Sequence, residues 1–161
     1  MSARNNSVID SEKIHLLSVN VFKARLDTTE PFRDNPQKAD KYVIDTASNT
    51  VFNFKDKLCR FRFFFKFTGL DEDQNPLGVE AEYGLEYHYY IENINDFLIQ
   101  KNENEVSIDS QLGVVLCSIS YSTSRGIILE KLHGTHLEGI ILPVVSPVKL
   151  LEEQKKLLKQ Y

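Results

Sequence analysis

Two histidines, His133 and His136, come nearest to a metal site in this chain of 161 residues. They form an H-x-x-H pair, and Cys117 is the candidate for a third ligand. A zinc site needs four ligands, or three and a water molecule, at recognisable spacing. Gly134 lies between the histidines and indicates a turn, which would not hold both rings on one helix face. We therefore predict ordinary loop histidines and no bound metal.

The acidic run Asp71 to Asp73 stands beside Asn75 and has the side chains of a calcium loop. The glycine and the closing glutamate of an EF-hand are missing from their positions. Since Asp, Asn, Pro and Gly are all turn residues, a solvated hairpin turn is the better interpretation.

Signals for nucleophilic catalysis are absent from the sequence. There is no G-x-S-x-G or G-K-[ST] motif, and Cys59 falls within a predicted strand without a paired histidine. The hydroxyl-rich segment 118–124 has no base beside it. We predict that the chain is not an enzyme and uses no cofactor. A small-ligand-binding or hot-dog-like enzyme, with His133, His136 or Asp109 in its site, is the alternative.

Composition and charge exclude further classes of protein. A chain of this length builds one domain with its own core. The net charge of −4 without a basic stripe argues against a nucleic-acid partner. No run approaches the ~20 apolar residues of a membrane helix, so membrane insertion is not expected.

The N-terminal segment and the cysteines indicate the compartment. Residues 1–12 are polar and lack the apolar stretch of a signal peptide, so we expect them to be disordered and residues 13–161 to form a single domain. Cys59 and Cys117 lie outside any C-x-x-C spacing and are predicted to be buried thiols in a reducing compartment. Together these features predict a cytoplasmic protein.

Two segments, Leu58–Thr68 and Val79–Ile91, alternate apolar and polar residues with the period of half-buried strands. The apolar face is mostly aromatic and consists of Cys59, Phe61, Phe63, Phe65, Phe67, Val79, Ala81, Tyr83, Leu85, Tyr87, Tyr89 and Ile91. Turn residues between the segments predict an antiparallel hairpin. Its register predicts two cross-strand charge pairs, each worth roughly 0.2–1 kcal/mol: Lys66 with Glu80, and Arg60 with Glu86.

The first part of the chain predicts further strands. Ile14–Leu26 is apolar on both faces, which suggests cover on each side, on one of them from another subunit. Its two apolar rows are Leu17, Val19 and Val21, and Leu16, Phe22 and Leu26. The next segments predict a loop at Thr28–Asp40, a short strand at Lys41–Asp45, a turn at Thr46–Asn49 and a continuation of the strand at Val51–Phe54.

The segment Leu112–Leu132 is predicted to be a long helix, although Val115–Thr123 also alternates as a strand would. Asp109 or Ser110 can cap its start, and Gly134 stands where a helix-terminating glycine belongs. Before this helix, the polar stretch Asn93–Asn104 is predicted to be irregular, running into a solvated loop at Lys101–Glu105.

A second helix is predicted to follow the Ser146-Pro147 pair, which suits the N-cap and first helical positions. Between the two helices lies the apolar run Gly139–Val145. An apolar loop at the surface often marks binding, whereas the same run under the last helix would be core. The sequence supports both interpretations, and they are compatible if only one side of the run is covered.

Three stretches have the order and composition of a known family: I-D-T-A-S at Ile44–Ser48, Y-S-T-S-R-G-I-I at Tyr121–Ile128, and G-T-H-L-E-G-I-I-L-P-V-V-S-P-V-K-L-L at Gly134–Leu151. They are similar to the second strand end, the Y-x-R-x-x-I helix and the G-T-F-P-x-L-x-L-x-P-V-N-F crossover of the SecB export chaperones and their toxin–antitoxin-associated relatives. The family's Phe-Pro before the helix tyrosine is missing before Tyr121.

The resemblance implies an α+β, SecB-like fold: a four-stranded antiparallel sheet with two helices packed on one face. It also implies homo-oligomers, as dimers formed through the strands or tetramers stacked from them, and an ATP-independent holdase for unfolded or preprotein chains in export. Client binding would then draw on Ile140, Ile141, Leu142, Val144, Leu150, Leu151 and Tyr121. The oligomer interface would draw on Leu17, Val19, Val21, Ile119 and Ile128.

Two further partners follow from the same resemblance. Export chaperones dock on a translocation motor ATPase through acidic sheet positions, whereas the first strand here offers Asn20, Lys23 and Arg25. The toxin–antitoxin-associated relatives imply the alternative of a dedicated chaperone or adaptor for one partner, such as an antitoxin.

Overall fold

The computed structural model describes residues 8–158, with the side chains of residues 8–154, as one four-stranded sheet, one hairpin and three α-helices. The strands are β1 (Ile14–Thr28), β2 (Lys41–Asn53), β3 (Leu58–Leu70), β4 (Pro76–Ile91), β5 (Leu98–Asn102) and β6 (Glu105–Ile108). The helices are α1 (Glu30–Asp34), α2 (Ser110–Leu132) and α3 (Pro147–Leu158). Of the segment expected to be disordered, residues 1–7 lie outside the described residues, and Ser11–Lys13 form a 3-10 turn before β1.

The long strands form one antiparallel sheet in the order β1-β4-β3-β2. Helix α2 packs on β3 and β4 and helix α3 on β2, so both helices cover one face, which we call the inner face. The row of aromatic and aliphatic residues predicted for β3 and β4 is buried there. The predicted fold class, a four-stranded antiparallel sheet with two helices on one face, is confirmed.

The register of β3 and β4 confirms the predicted hairpin. Lys66 lies directly opposite Glu82, and its Nζ is 3.5 Å from Oε2 of the diagonal neighbour Glu80, as predicted. The second predicted pair is wrong in its basic partner. Glu86 forms its ion pair with Arg62, because Arg62 is directly opposite Glu86 in the register.

Strand β2 is continuous, so the turn predicted at Thr46–Asn49 is wrong. These four residues pair with residues 62–65 of β3, and this pairing overrides their local turn propensity. The inward side chains of β2 include hydroxyls: Ser48 and Thr50 donate to Oε1 of Gln154 in α3, at 3.4 and 3.5 Å.

Two short elements occupy segments predicted to be irregular. Helix α1 interrupts the predicted loop between β1 and β2, where Thr29 accepts a hydrogen bond from the Phe32 amide and Phe32 is buried. The β5–β6 hairpin replaces the irregular stretch predicted before the long helix. Their signals were weak because each element is only a few residues long.

Helix α2 is confirmed, with Asp109 as its N-cap and Gly134 at φ +75 just beyond its end. By length and composition alone it is apolar enough to cross a membrane, which the sequence prediction did not identify. Core helices of water-soluble domains meet the same test. Here the buried side of α2 packs on the inner face, where the hydroxyls of Ser120 and Ser124 bond to tyrosines of β4.

Candidate functional site

The segment Gly139–Ser146, which we call the crossover, connects the turn after α2 to α3. Its side chains alternate between the interior and the surface over residues 140–142, and the alternation ends where Pro143 and Val144 are both exposed. Ile140 and Leu142 are buried in the core, whereas Ile141 is 52% exposed and Val144 is 83% exposed. The run is therefore core at Ile140 and Leu142 and surface at Ile141 and Val144.

Two side chains of α2 fasten the crossover in place. The Tyr121 hydroxyl donates to the Pro143 carbonyl at 2.8 Å, and Nε of Arg125 donates to the Leu142 carbonyl at 3.0 Å. Burial raises the pKa of Tyr121, which keeps its hydroxyl protonated as a donor. The outward side chains are thus presented by a backbone that is already ordered.

The first turn of α3 continues the exposed apolar surface. Val148 is exposed, and Leu150 and Leu151 are half-buried, Leu151 lying close to Gly113 of α2. We call the exposed residues Ile141, Val144 and Val148 the crossover surface.

Three of the residues predicted to bind clients are not surface residues. Ile140 and Leu142 point into the core on either side of the exposed Ile141. Tyr121 is nearly buried, with its ring 5.7 Å from that of Phe63 and its hydroxyl used by the crossover. These residues hold the crossover in position, and its exposed apolar contacts come from Ile141 and Val144.

A second apolar surface lies on β1. Leu16, Val21 and Leu26 are opposite inner-face residues of β4, so they point to the inner face, yet they are exposed because α2 does not extend over β1. We call these three residues the β1 strip. On α2, Tyr121 packs towards β3, so helical geometry places the half-exposed Ile119 on the opposite flank, towards β1.

The residues predicted for an oligomer interface fall into two groups. Leu17, Val21 and Ile119 are exposed, and Val19 is half-buried. Ile128, also predicted for the interface, is fully buried on the inner side of α2 as part of the core of the single chain.

The outer face of the sheet carries paired charges. Glu80, Glu82 and Glu86 each form an ion pair, with Lys66, Lys23 and Arg62. Hydrogen bonds hold the pKa of Glu82 and Glu86 below the usual glutamate value, from Lys23 to Glu82 and from His88 and Arg62 to Glu86. Three acidic residues of this face, Glu80, Glu82 and Glu86, therefore have basic partners within the same sheet.

An aromatic cluster on the outer face escaped the sequence analysis. The Phe22 ring lies over Gly84, 5.5 Å from the Phe64 ring and 5.3 Å from the Arg62 guanidinium. A lone glycine within a strand is a signal for such a close approach, and Gly84 could have indicated the cluster.

The other candidates for chemistry have structural partners. Nδ1 of His133 lies 2.8 Å from Oε1 of Glu138, and His136 packs edge-on against Phe32. Among the described residues, no three metal-ligating side chains come together. Burial raises the pKa of Cys59 to about 12 and that of Cys117 to about 11, so both thiols stay protonated and are poor nucleophiles.

The predicted acidic turn is formed by hydrogen bonds within the chain. The side chain and the amide of Asp71 both bond to the backbone of Asn75, at 2.9 Å. This arrangement is turn chemistry, as the sequence predicted.

No protein-family model matches this chain, and no curated protein matches its sequence. Its fold is similar to the Rv1957 SecB-like chaperone of Mycobacterium tuberculosis in complex with a ChAD peptide from the Rv1956 HigA1 antitoxin, with a TM-score of 0.54 and 7% identity over 84% of this chain and 92% of that chain. A protein of unknown function from Streptococcus agalactiae gives a TM-score of 0.39 and 10% identity, over 81% of this chain and 97% of that chain. At these identities, what the first comparison establishes for this chain is a SecB-like fold.

Proposed function

We propose that this protein is a non-enzymatic chaperone that acts in the cytoplasm without ATP and holds extended, apolar segments of unfolded polypeptides. The observation that carries the proposal is the crossover surface, where Ile141 and Val144 of the anchored crossover and Val148 of the first turn of α3 are exposed. Exposed apolar side chains that cluster on a loop are typical of binding surfaces.

The anchoring of the crossover favours binding. Tyr121 and Arg125 fix its backbone carbonyls, so little conformational entropy remains to be lost when a client is bound. Apolar burial contributes about 25 cal/mol per Å² and has no directionality, so clients of different sequence can be held.

The test is suppression of aggregation of an unfolded client, without ATP, by the double variant Ile141→Asp/Val144→Asp. We expect suppression to fall at least ~10-fold, because two charges would replace the apolar contacts at the surface. The variant should stay folded, since both side chains already face water.

A matched control is Val8→Asp/Ile99→Asp. Val8 is 82% exposed and Ile99 is 45% exposed, so the control replaces the same residue types at similar exposure away from the crossover. Undiminished suppression by the folded crossover variant, or an equal loss in the control, would refute the proposal.

The β1 strip supports a second part of the proposal, that the protein is a homo-oligomer. β1 is an edge strand with a free row of backbone hydrogen-bonding groups beside exposed apolar residues, an arrangement that invites pairing. A second copy covering this strip and the Ile119 flank of α2 would bury both. Dimers, or tetramers built from them, would carry two or more crossover surfaces.

A dedicated chaperone for one partner is the second candidate function. It is favoured by the similarity of fold to a SecB-like chaperone solved with a peptide from an antitoxin. Capture of one protein from lysate, with no effect on the aggregation of unrelated clients, would favour it over a generalist chaperone. Docking on a translocation motor ATPase is not part of the proposal, because the outer-face residues Glu80, Glu82 and Glu86 are paired with Lys66, Lys23 and Arg62.

A further inference from the structure

A small cavity of about 150 Å³ lies where α2, the crossover and the first turn of α3 meet. Its lining includes one cation, hydroxyl groups and apolar side chains, among them Ser122, Arg125, Val144, Val145 and Leu150. Pockets for drug-sized ligands have about 300–1,000 Å³, so this cavity has room for roughly one amino-acid residue.

The charge of Arg125 is not neutralised within the described part of the chain. Its Nε donates to the Leu142 carbonyl, whereas neither Nη atom has a hydrogen-bond partner or a carboxylate within ion-pair distance among residues 8–154. On the outer face, by contrast, Arg62 pairs with Glu86. The bond from Nε fixes the guanidinium plane and leaves the two Nη atoms free, and a pair of free N–H groups matches the two oxygens of a carboxylate.

Ser122 supplies a second donor beside this cation. It lies three residues before Arg125 on α2, so the two side chains share one face of the helix. Its hydroxyl has no partner among the described residues, whereas the nearby Tyr121 hydroxyl is committed to Pro143. The lining thus combines two free donors with apolar contacts from Val145 and Leu150.

We infer that this cavity captures the C-terminal carboxylate of a bound polypeptide whose last residue is apolar, an inference that rests on the proposed function. The carboxylate binds the Nη atoms of Arg125 and the Ser122 hydroxyl, and the last side chain packs on Val145 and Leu150. The preceding residues of the polypeptide then run over the crossover surface, of which Val144 also lines the cavity.

The size of the cavity favours a chain end over an acidic side chain. The terminal residue of a polypeptide carries its carboxylate and an apolar side chain on the same carbon atom. Both groups therefore fit within the space of one residue, as the cation and the apolar lining require. A glutamate brings a carboxylate but leaves the apolar lining without a matching group.

The test measures the binding of three short, fluorescently labelled apolar peptides by anisotropy. One ends in valine with a free carboxylate, the second is its C-terminal amide, and the third is an amide that ends in glutamate. We expect the free acid to bind at least ~10-fold more tightly than either amide, the ratio that a charge-assisted hydrogen bond gives. The variant Arg125→Gln should lower the binding of the free acid to that of the amide.

Two further variants separate capture from structural damage. Ser122→Ala leaves the bond from Arg125 to Leu142 intact and should reduce the preference for the free acid ~3-fold. Arg33→Gln removes an arginine whose Nη1 donates to the Thr28 carbonyl, away from the cavity, and should leave the preference unchanged.

The outcomes distinguish this inference from the proposed function. Equal binding of the free acid and its amide would overturn the capture of the chain end but leave the chaperone function standing. Binding of the glutamate amide as tight as that of the free acid would overturn the specificity for a chain end. Failure of all three peptides to bind, together with failure to suppress aggregation, would overturn both proposals.

Discussion

At the scale of the residue, two tyrosine–serine pairs connect β4 to α2 inside the core. The hydroxyl oxygens are 2.6 Å apart in Tyr87–Ser124 and 2.7 Å apart in Tyr89–Ser120. Burial raises the pKa of both tyrosines to about 12, so they are neutral under ordinary conditions. These two pairs fix how α2 sits on the sheet, and the Ser124 hydroxyl also donates to the Ser120 carbonyl within α2 at 2.8 Å.

Replacing one hydroxyl of such a pair should lower the free energy of unfolding more than replacing both. Ser124→Ala leaves the buried Tyr87 hydroxyl without its partner, and we expect the free energy of unfolding to fall by ~1–3 kcal/mol. Adding Tyr87→Phe should recover part of that loss, because no unpaired hydroxyl remains. Urea denaturation measures both, and Ser122→Ala on the exposed side of α2 is the control. A double variant that is simply the sum of two losses would contradict this account.

At the scale of the element, the sequence predicts best where one pattern dominates. The alternation in β3 and β4 and the capped helix α2 were predictable because each is long and has one buried face. The prediction of a turn within β2 was wrong because Thr46–Asn49 are held as a strand by pairing with β3. The local propensity of these four residues carries no information about that pairing. Long-range pairing is the part of the fold that a single sequence conceals.

The candidate site was predictable as a segment but not residue by residue. The apolar run of the crossover was evident, yet all its residues are apolar, so nothing distinguished the buried Leu142 from the exposed Val144. The hydrogen bond from Arg125 to the Leu142 carbonyl also had no local signal in the sequence, since the two residues are 17 positions apart.

The two glycines Gly84 and Gly126 should respond to alanine with opposite signs. At Gly84 a Cβ would lie 2.6 Å from the Phe22 ring, which must then leave its contacts with Phe64 and Arg62. We expect a loss of ~1 kcal/mol in the free energy of unfolding. Gly126 of α2 has no neighbour within 4 Å of an added Cβ, so Gly126→Ala should gain ~0.5–1 kcal/mol. Denaturation midpoints that shift in the same direction would refute this assignment.

At the scale of the whole molecule, the sheet extends beyond its helices at one edge. The β1 strip and Ile119 are exposed there, and we propose that a second copy covers them. The double variant Leu16→Asp/Val21→Asp should convert the oligomer to a folded monomer, as measured by sedimentation. Val43→Asp, at a similarly exposed valine on the other edge strand, should leave the assembly unchanged. A wild-type protein that sediments as a monomer would exclude the interface.

Helix α3 lies on hydroxyl groups of β2, in contrast to the aromatic residues under α2. Gln154 is its buried contact with Ser48 and Thr50, over hydrogen bonds of 3.4 and 3.5 Å, and water could replace such bonds at small loss. Lifting α3 would also uncover the half-buried Leu150 and Leu151, and it would widen the space beside the crossover for a bulkier client. Amide hydrogen exchange that is faster in α3 than in α2 would show that α3 opens away from the sheet while α2 stays packed.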